Sequence, residues 1–230
     1  MPISLFIFDL DGTLVDTLAD ITYSLNHALA GKGLGPLSQG RVKKLIGEGV
    51  GRLIERAVSG QKPKVDPELT LKIREKFISH YRRHLLDHSD TYPGVPEVLR
   101  GLHGFKKAII SNKMHSLTVK ILEGLELAPY FDLVAGPETV AEKKPSAAPV
   151  LYVLDKLATD AMDAVMVGDS RFDIKAGRNA KVKCTVGVTY GYDNASGLKE
   201  ADYVIGNIGE LVATLYRNEP MLERRLAPRD

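Results

Sequence analysis

The sequence predicts an α/β fold: a parallel sheet covered by helices on both faces, with an all-helical insert after the first strand. Short apolar runs recur along the chain. They are continuous rather than alternating, which is typical of strands that are buried on both faces. From about residue 93 the runs are separated by enough chain for one crossover helix each, as in βαβ units. Before that point, the chain shows helical periodicity instead.

The apolar runs mark the predicted strands in order. They cover residues 3–8, 107–110, 131–135, 164–167, 184–188 and 203–205. The first run ends at Asp9, and the fourth is followed by Gly168 and Asp169. Acidic residues are therefore expected at the carboxyl ends of strands, where open α/β sheets bind ligands.

The interval between Asp16 and about Ser89 contains no convincing strand. Helices are predicted over residues 17–30, 38–46, 50–58 and 66 to about 86. The last of them opens with Asp66 and Pro67, an N-cap followed by proline in the first turn. We therefore predict two domains. A core is formed by residues 1–16 and 89–230, and a helical cap, residues 17–88, is seated over the edge of its sheet.

Composition gives no reason to expect nucleic acid or a membrane as a partner, because the net charge of the 230 residues is only +2. The one cysteine, Cys184, allows no disulfide within the chain and favours a reducing compartment. The amino terminus lacks a basic segment, and its apolar run stops at Asp9, so it resembles neither a signal peptide nor a membrane span. The expectation is a cytoplasmic protein, and its oligomeric state is left open.

The segment from Phe8 to Asp16 is the most informative one. Asp9 and Asp11 leave the end of a strand on the same face, and Gly12 permits a sharp turn after them. Two carboxylates held close together repel each other and need a cation or a shared proton. Magnesium suits an all-oxygen site of this kind. A solvated acidic turn is the alternative, but the apolar flanks make it less favourable.

Three further segments carry candidate residues. Ser111 follows an apolar strand and could bind an anion through its hydroxyl and the next backbone N–H groups, beginning with Asn112. Lys144 precedes a proline and could reach a phosphate. Asp169 ends a strand as a third magnesium carboxylate, and Asp173 either orients or binds the metal or caps a helix. Taken singly, Ser111 could mark a plain turn and Lys144 a surface lysine.

Together the four segments resemble those of the haloacid dehalogenase superfamily. They cover residues 8–16, 109–113, 142–145 and 166–173, and several stretches look like bacterial phosphoglycolate phosphatases. The resemblance implies a Rossmann-like three-layer core, with the first strand at the centre of the sheet. It also implies a phosphatase with Asp9 as nucleophile and Asp11 as general acid and base. In the same comparison Asp169 resembles a metal ligand, and Ser111 and Lys144 the phosphate-binding pair.

The resulting prediction is a magnesium-dependent phosphatase acting on a small phosphorylated metabolite, with 2-phosphoglycolate as the expected substrate. The predicted metal residues are Asp9, Asp11, Asp169 and Asp173. The alternatives within the superfamily are a sugar phosphomutase, many of which carry valine where this chain has Thr13, and a pyrophosphatase. A non-catalytic binding protein on the same fold is the alternative from another class, although none of the four segments is lost.

The cap is expected to recognise the substrate carboxylate. The glycines around Glu48, with Gly49 among them, could offer backbone N–H groups, and Arg52 could supply a positive charge. Arg41, Lys43 and Lys44 are interpreted as the solvated face of a surface helix.

Overall fold

The computed structural model describes residues 3–62, 66–193 and 195–218. The ends of the predicted core, residues 1–2 and 219–230, lie outside the described residues. The strands are β1 (Leu5–Phe8), β2 (Val15–Asp16), β3 (Asp90–Thr91), β4 (Lys106–Ile110), β5 (Leu133–Ala135), β6 (Ala164–Gly168), β7 (Cys184–Val188) and β8 (Tyr203–Ile205). The helices are α1 (Leu18–Leu29), α2 (Gln39–Lys43), α3 (Val50–Ser59), α4 (Pro67–Tyr81), α5 (Val95–Gly101), α6 (His115–Gly124), α7 (Ala148–Lys156), α8 (Arg171–Asn179) and α9 (Glu210–Asn218).

Six strands form one parallel sheet in the order β5-β4-β1-β6-β7-β8. Strand β1 lies inside the sheet and pairs with β4 on one side and β6 on the other. Because these strands are parallel, the loops after β1, β4 and β6 leave the same edge of the sheet, and the strand order reverses at β1. A crevice at such a switch point is the usual ligand site of an open α/β sheet.

The two faces of the sheet are covered by separate apolar layers. Leu5 and Ile7 of β1 pack into one cluster with residues of α7, among them Val150. Phe6 and Phe8 point to the opposite face and join a second, larger cluster. Alternate side chains of a fully buried strand therefore serve two layers, as the continuous apolar run predicts. The predicted α/β class with a three-layer core and a parallel sheet is confirmed.

The insert is helical, as expected. Helices α1 to α4 lie between β2 and β3, and α1 packs along α4. The chain leaves and re-enters the core through β2 and β3, which form a two-residue antiparallel pair that the sequence does not reveal. The boundaries of the two domains, 17–88 for the cap, stay a prediction. Among the described residues, no helix combines the length and the apolarity needed to cross a bilayer.

Two helices of the cap are shorter than predicted. Helix α4 ends at Tyr81 rather than near residue 86, because the N–H groups of Arg83 and His84 bond the carbonyls three residues back. The chain then turns towards the core, where the Asp20 carboxylate accepts hydrogen bonds from His88 and Ser89. Helix α2 covers residues 39–43 instead of 38–46, and it ends in the same kind of tightened turn.

Candidate active site

A cavity of about 690 Å³ lies between the carboxyl edge of the sheet and the cap. Its core wall includes Asp9, Asp11, Ser111, Lys144 and Asp169, which come from the loops after β1, β4 and β6 and from the segment before α7. Its cap wall comes from α1, α2, α3, α4 and the loop between α2 and α3. The structure thus brings the four sequence segments together around one space.

Asp9 directly follows β1, and its backbone N–H donates to the carbonyl of Val167 on the neighbouring strand. Its Oδ1 lies 2.8 Å from the Nζ of Lys144, yet this buried oxygen receives no hydrogen bond of good geometry from the described residues. Burial raises the pKa of Asp9 to about 7, with Lys144 opposing the rise and Asp173 adding to it. The carboxylate of Asp9 is therefore held at the cavity by an ion pair with Lys144 rather than by a well-directed hydrogen bond.

Lys144 is buried and holds two carboxylates. Its Nζ lies 2.8 Å from Asp9, donates to Asp173 Oδ1 at 2.6 Å and donates to the carbonyl of Ile110 at 2.7 Å. Burial alone would lower the pKa of Lys144, but Asp173 and Asp9 outweigh it and raise that pKa. The ammonium is therefore a fixed positive charge beside Asp9.

Asp173 supports this arrangement from the first turn of α8. Its Oδ2 accepts hydrogen bonds from the backbone and the hydroxyl of Ser170, at 3.0 and 2.6 Å, which completes a capping box. Its Oδ1 is bonded to Lys144. Asp173 therefore caps the helix, and the same carboxylate orients the lysine next to Asp9. Its predicted role at a metal stays a prediction.

The donor set suits a divalent cation. Carboxylate oxygens of Asp9, Asp169 and Asp173 lie within 4.8 Å of one another. Burial raises the pKa of Asp169 well above its usual range, and the charges of Asp173 and Asp9 add to this. Three clustered carboxylates face the single ammonium of Lys144, so negative charge is left uncompensated. Oxygen donors with excess negative charge fit magnesium.

Asp11 does not belong to that cluster of three. Its Oδ1 accepts hydrogen bonds from Thr17 Oγ1 and Lys113 Nζ, each at 2.6 Å. The Lys113 ammonium also donates to the hydroxyl of Tyr81, which comes from cap helix α4. Sequence reasoning missed both Lys113 and Tyr81. Lys113 lies in the same segment as Ser111. However, the sequence alone does not show that this lysine and Tyr81 are buried against each other.

Ser111 and Asn112 lie where the sequence predicted, after β4 and in the cavity wall. Ser111 Oγ accepts a hydrogen bond from the backbone of Lys113 at 3.2 Å. The side chain of Asn112 bonds the N–H and the carbonyl of Lys144 and also the carbonyl of Gly47 in the cap. The amide of Asn112 is therefore already used, and it ties the loop of Lys144 to the cap.

The side chain of Asp169 is tightly packed against the neighbouring loops. A Cβ on Gly12, where φ is +85°, would lie 2.4 Å from Asp169 Oδ2. That oxygen accepts a hydrogen bond from the backbone of Tyr192 at 2.5 Å, and Thr13 Oγ1 lies 3.3 Å from Oδ1. The Tyr192 hydroxyl accepts from the backbone of Thr17 at 2.6 Å. Tyr192 thus contacts both the core and the start of the cap.

The two predicted cap residues differ in their placement. Gly49 lines the cavity, and a Cβ there would lie 2.8 Å from the carbonyl oxygen of Asn112. Arg52 is not among the cavity residues; its side chain is 60% exposed and pairs with Glu55 at 2.7 Å. The exposed position of Arg52 does not support the substrate-binding role predicted for it. Arg56, one turn further along α3, does line the cavity.

Comparison with known proteins places the chain among hydrolases. A family model for haloacid dehalogenase-like hydrolases matches residues 6–187. The phosphoglycolate phosphatase of Agrobacterium fabrum is 40% identical over 216 residues, which cover 92% of each chain. That of Aquifex aeolicus is 38% identical over 192 residues, covering 81% of this chain and 84% of its own.

Solved structures agree with this match. A crystal structure described as a predicted phosphoglycolate phosphatase from Haemophilus somnus has a TM-score of 0.88 at 30% identity, and the likeness covers 92% of this chain and 97% of the other. The family model spans the segments of Asp9, Ser111, Lys144 and Asp169, which the structure brings to one cavity. The chain belongs to the haloacid dehalogenase-like hydrolase family.

Proposed function

We propose that this chain is a magnesium-dependent phosphatase that hydrolyses 2-phosphoglycolate through an aspartyl-phosphate intermediate. The observation that carries the proposal is the setting of Asp9. Its Oδ1 is buried at the cavity without a well-directed hydrogen bond, and the ammonium of Lys144 lies 2.8 Å away. A carboxylate held in this way can attack a phosphorus atom, while the adjacent positive charge attracts the phosphate oxygens.

In the first step an Asp9 oxygen forms a bond to phosphorus, and the bond between phosphorus and the leaving alkoxide breaks. Asp11 gives its proton to that alkoxide. Lys144 and Ser111 would hold the other phosphate oxygens, since both line the cavity next to Asp9. Phosphoryl transfer depends mainly on alignment and on compensation of charge, and these residues supply both.

In the second step water attacks the aspartyl phosphate, and Asp11 accepts the proton that the water loses. Asp9 is thereby released as a free carboxylate with inorganic phosphate as the product. The contacts of Asp11 with Thr17 and Lys113 hold its carboxyl group in position through both steps. The cap wall of the cavity would keep bulk water away from the intermediate.

We assign the metal to Asp9 and Asp169, whose carboxylates cluster with that of Asp173. Asp11 lies outside this cluster and is assigned the proton transfer instead. The bound magnesium ion would supply positive charge that lets an anionic nucleophile approach an anionic phosphate. The hydrogen bonds of Asp173 to Ser170 and Lys144 favour an orienting role for it.

The choice of substrate rests on the relatives, several of which are named phosphoglycolate phosphatase at 35–40% identity. The partner is then a small phosphorylated acid. A cytoplasmic location, for which the single cysteine is one argument, stays a prediction.

The test is a comparison of wild type with Asp9→Asn. Wild type should hydrolyse 2-phosphoglycolate with a higher kcat/KM than sugar phosphates, nucleotides or pyrophosphate, and only with magnesium present. Asp9→Asn should still fold and bind substrate but show no turnover, since an amide cannot form the acyl phosphate. Near wild-type turnover in the variant would exclude the covalent mechanism, and full activity in a chelator would exclude the metal.

A further inference from the structure

We propose that Lys43 of the cap binds the substrate carboxylate and selects a phosphorylated acid over an uncharged phosphate ester. The inference rests on the proposed function, because it assigns a recognition residue to that substrate. Lys43 takes over the carboxylate-binding role that the sequence analysis gave to Arg52, because Arg52 does not line the cavity.

Three of the six cations that line the cavity have carboxylate partners among the described residues. Lys44 and Arg171 have none, but both are exposed to solvent. Lys113 pairs with Asp11, and Lys144 pairs with Asp9 and Asp173. Each of these ammonium groups is committed to a carboxylate of the reaction centre. Both ammonium groups can attract the phosphate of the substrate, but neither is available to bind the carboxylate at its other end.

Arg56 is neutralised within the cap itself. Its guanidinium forms an ion pair with Glu48 at 2.9 Å and donates to the carbonyl of Lys44 at 3.1 Å. These contacts bridge the loop between α2 and α3, so Arg56 is best understood as a residue that holds the loop shape. Its charge is matched before any substrate arrives.

Lys43 differs from these residues in one respect. It is the last residue of α2, it is partly buried, and it lines the cavity. Within residues 3–62, 66–193 and 195–218, no carboxylate forms an ion pair with its ammonium. Its Nζ lies over the ring of Tyr192, 5.9 Å from the ring centroid. A cation over an aromatic face keeps its charge available to an anion.

The position of Tyr192 links Lys43 to the reaction centre. The same tyrosine donates its backbone N–H to Asp169 and accepts a hydrogen bond from Thr17 through its hydroxyl. Lys43 therefore stands on the cap side of a residue that contacts the proposed metal site. A phosphate held at Ser111 and Lys144 leaves the far end of a small substrate facing the cap, where Lys43 offers an unmatched charge.

The experiment compares Lys43→Met with Lys44→Met, its matched control. Lys44 is the next residue, has the same side chain and also lines the cavity, but it is exposed, so solvent and salt screen its charge. The full-length variants are assayed with magnesium on 2-phosphoglycolate and on 2-hydroxyethyl phosphate, in which a CH₂OH group replaces the carboxylate. The measured quantity is the ratio of the two kcat/KM values.

We expect this ratio to fall roughly ten- to a hundredfold in Lys43→Met, because a charge-assisted hydrogen bond to the carboxylate is lost. In Lys44→Met the ratio should stay within about twofold of wild type, as is usual for an exposed charge. Lys43→Gln, which keeps a hydrogen-bond donor without the charge, should give a ratio between the two. Thermal melting checks that each variant is folded, and Lys43→Gln serves alone if the methionine variant is not.

The outcomes separate this inference from the proposed function. If wild type itself does not prefer 2-phosphoglycolate, the substrate is wrong and the role of Lys43 is excluded with it. If wild type shows the preference and Lys43→Met keeps it, only the role of Lys43 is excluded. An equal loss on both substrates would also exclude it, since that result indicates a disturbed cap rather than a missing carboxylate contact.

Discussion

Asp9 and Asp11 are two residues apart, and their different surroundings fit the two different catalytic roles that we propose for them. Asp9 contacts the buried ammonium of Lys144 and belongs to the carboxylate cluster. Asp11 is held instead by Thr17 and Lys113. The first environment suits the nucleophilic attack that we propose for Asp9, and the second suits the proton exchange that we propose for Asp11.

This division predicts the behaviour of Asp11→Asn. The variant leaves Asp9 and its neighbours in place but cannot donate a proton, so alkyl phosphates with poor leaving groups should lose about 10²- to 10⁴-fold in kcat/KM. An aryl phosphate such as p-nitrophenyl phosphate needs little proton donation and should lose much less. The check is a comparison of the two substrates on one preparation, and an equal loss on both would contradict the acid role.

At the scale of elements, Asp20 of α1 determines where the chain leaves the cap. Its buried Oδ2 accepts hydrogen bonds from the N–H groups of His88 and Ser89 and from the Ser89 hydroxyl, at 2.7 to 3.0 Å. Asp20→Ala would leave these donors without a partner and should lower the free energy of unfolding by about 2 to 3 kcal/mol. Urea denaturation measures the change.

Glu97→Ala is the control for Asp20→Ala. Glu97 forms only an exposed ion pair with Arg100, so its removal should change the free energy of unfolding by less than about 0.5 kcal/mol. Similar losses in both variants would show that Asp20 acts as an ordinary surface charge.

The contact between α1 and α4 contains a stack of three imidazoles. The rings of His27 and His80 lie 4.1 Å apart, and those of His80 and His84 lie 4.2 Å apart. Burial is the first cause that lowers the pKa of both His27 and His80; Lys76 and Arg83 add to it for His27, and the neighbouring histidines and Arg83 for His80. The unfolded chain therefore takes up protons more readily than the folded chain.

The contribution of His27 and His80 to stability should accordingly be present above pH 6.5, the ordinary pKa of histidine, and should be lost as the pH decreases below that value. His80→Gln removes the central ring, so its melting temperature should decrease less than that of wild type between about pH 8 and pH 5. Parallel curves for the two proteins would show that the stack does not contribute to the pH dependence.

At the scale of the whole molecule, glycines set how closely the cap approaches the core. Gly49 has a φ of +85°, and a Cβ there would come within 2.8 Å of the Asn112 carbonyl. Gly49→Ala should therefore cost about 1 to 3 kcal/mol of unfolding free energy, through backbone strain and through this overlap. Gly51→Ala is the matched control, because Gly51 lies in α3 with nothing within 4 Å of its Cβ position.

Alanine at position 51 should be neutral or should stabilise the protein by up to about 1 kcal/mol, since it favours helix. The two variants are compared by urea denaturation. If Gly49→Ala is as stable as Gly51→Ala, the cap does not need its close contact with the core.

The sequence predicted the parts of this molecule that depend on local pattern. Continuous apolar runs located the strands of the sheet, since burial on both faces leaves no polar position. The pair Val15–Asp16 and Asp90–Thr91 could not be recognised, because a two-residue strand has no period to detect. The aspartates at strand ends could be recognised, because each of them follows directly after a run of apolar residues.

The residues that the sequence did not assign depend on tertiary position. Arg52, Arg56 and Lys43 lie close together in the chain and carry the same charge. Arg52 and Arg56 pair with glutamates, whereas Lys43 lines the cavity without a carboxylate partner among the described residues. Neither charge nor helical spacing distinguishes them, because the outcome depends on where Glu48 and Glu55 lie. Lys113 was overlooked for a related reason, as its burial is set by Tyr81 from a distant helix.

The short pair of β2 and β3 has a mechanical consequence. All of the chain between Asp16 and Asp90 is attached to the rest through these two neighbouring crossings, which are hydrogen-bonded to each other. Two adjacent connections allow the cap to rotate about the line that joins them, and they restrict its rotation about other axes. Tyr192 donates its hydroxyl to Asp16 at 2.9 Å and its backbone N–H to Asp169. Rotation of the cap would therefore be coupled through Tyr192 to Asp169, the carboxylate that we assign to the metal. Opening of the cavity to release product and weakening of metal binding would then occur together.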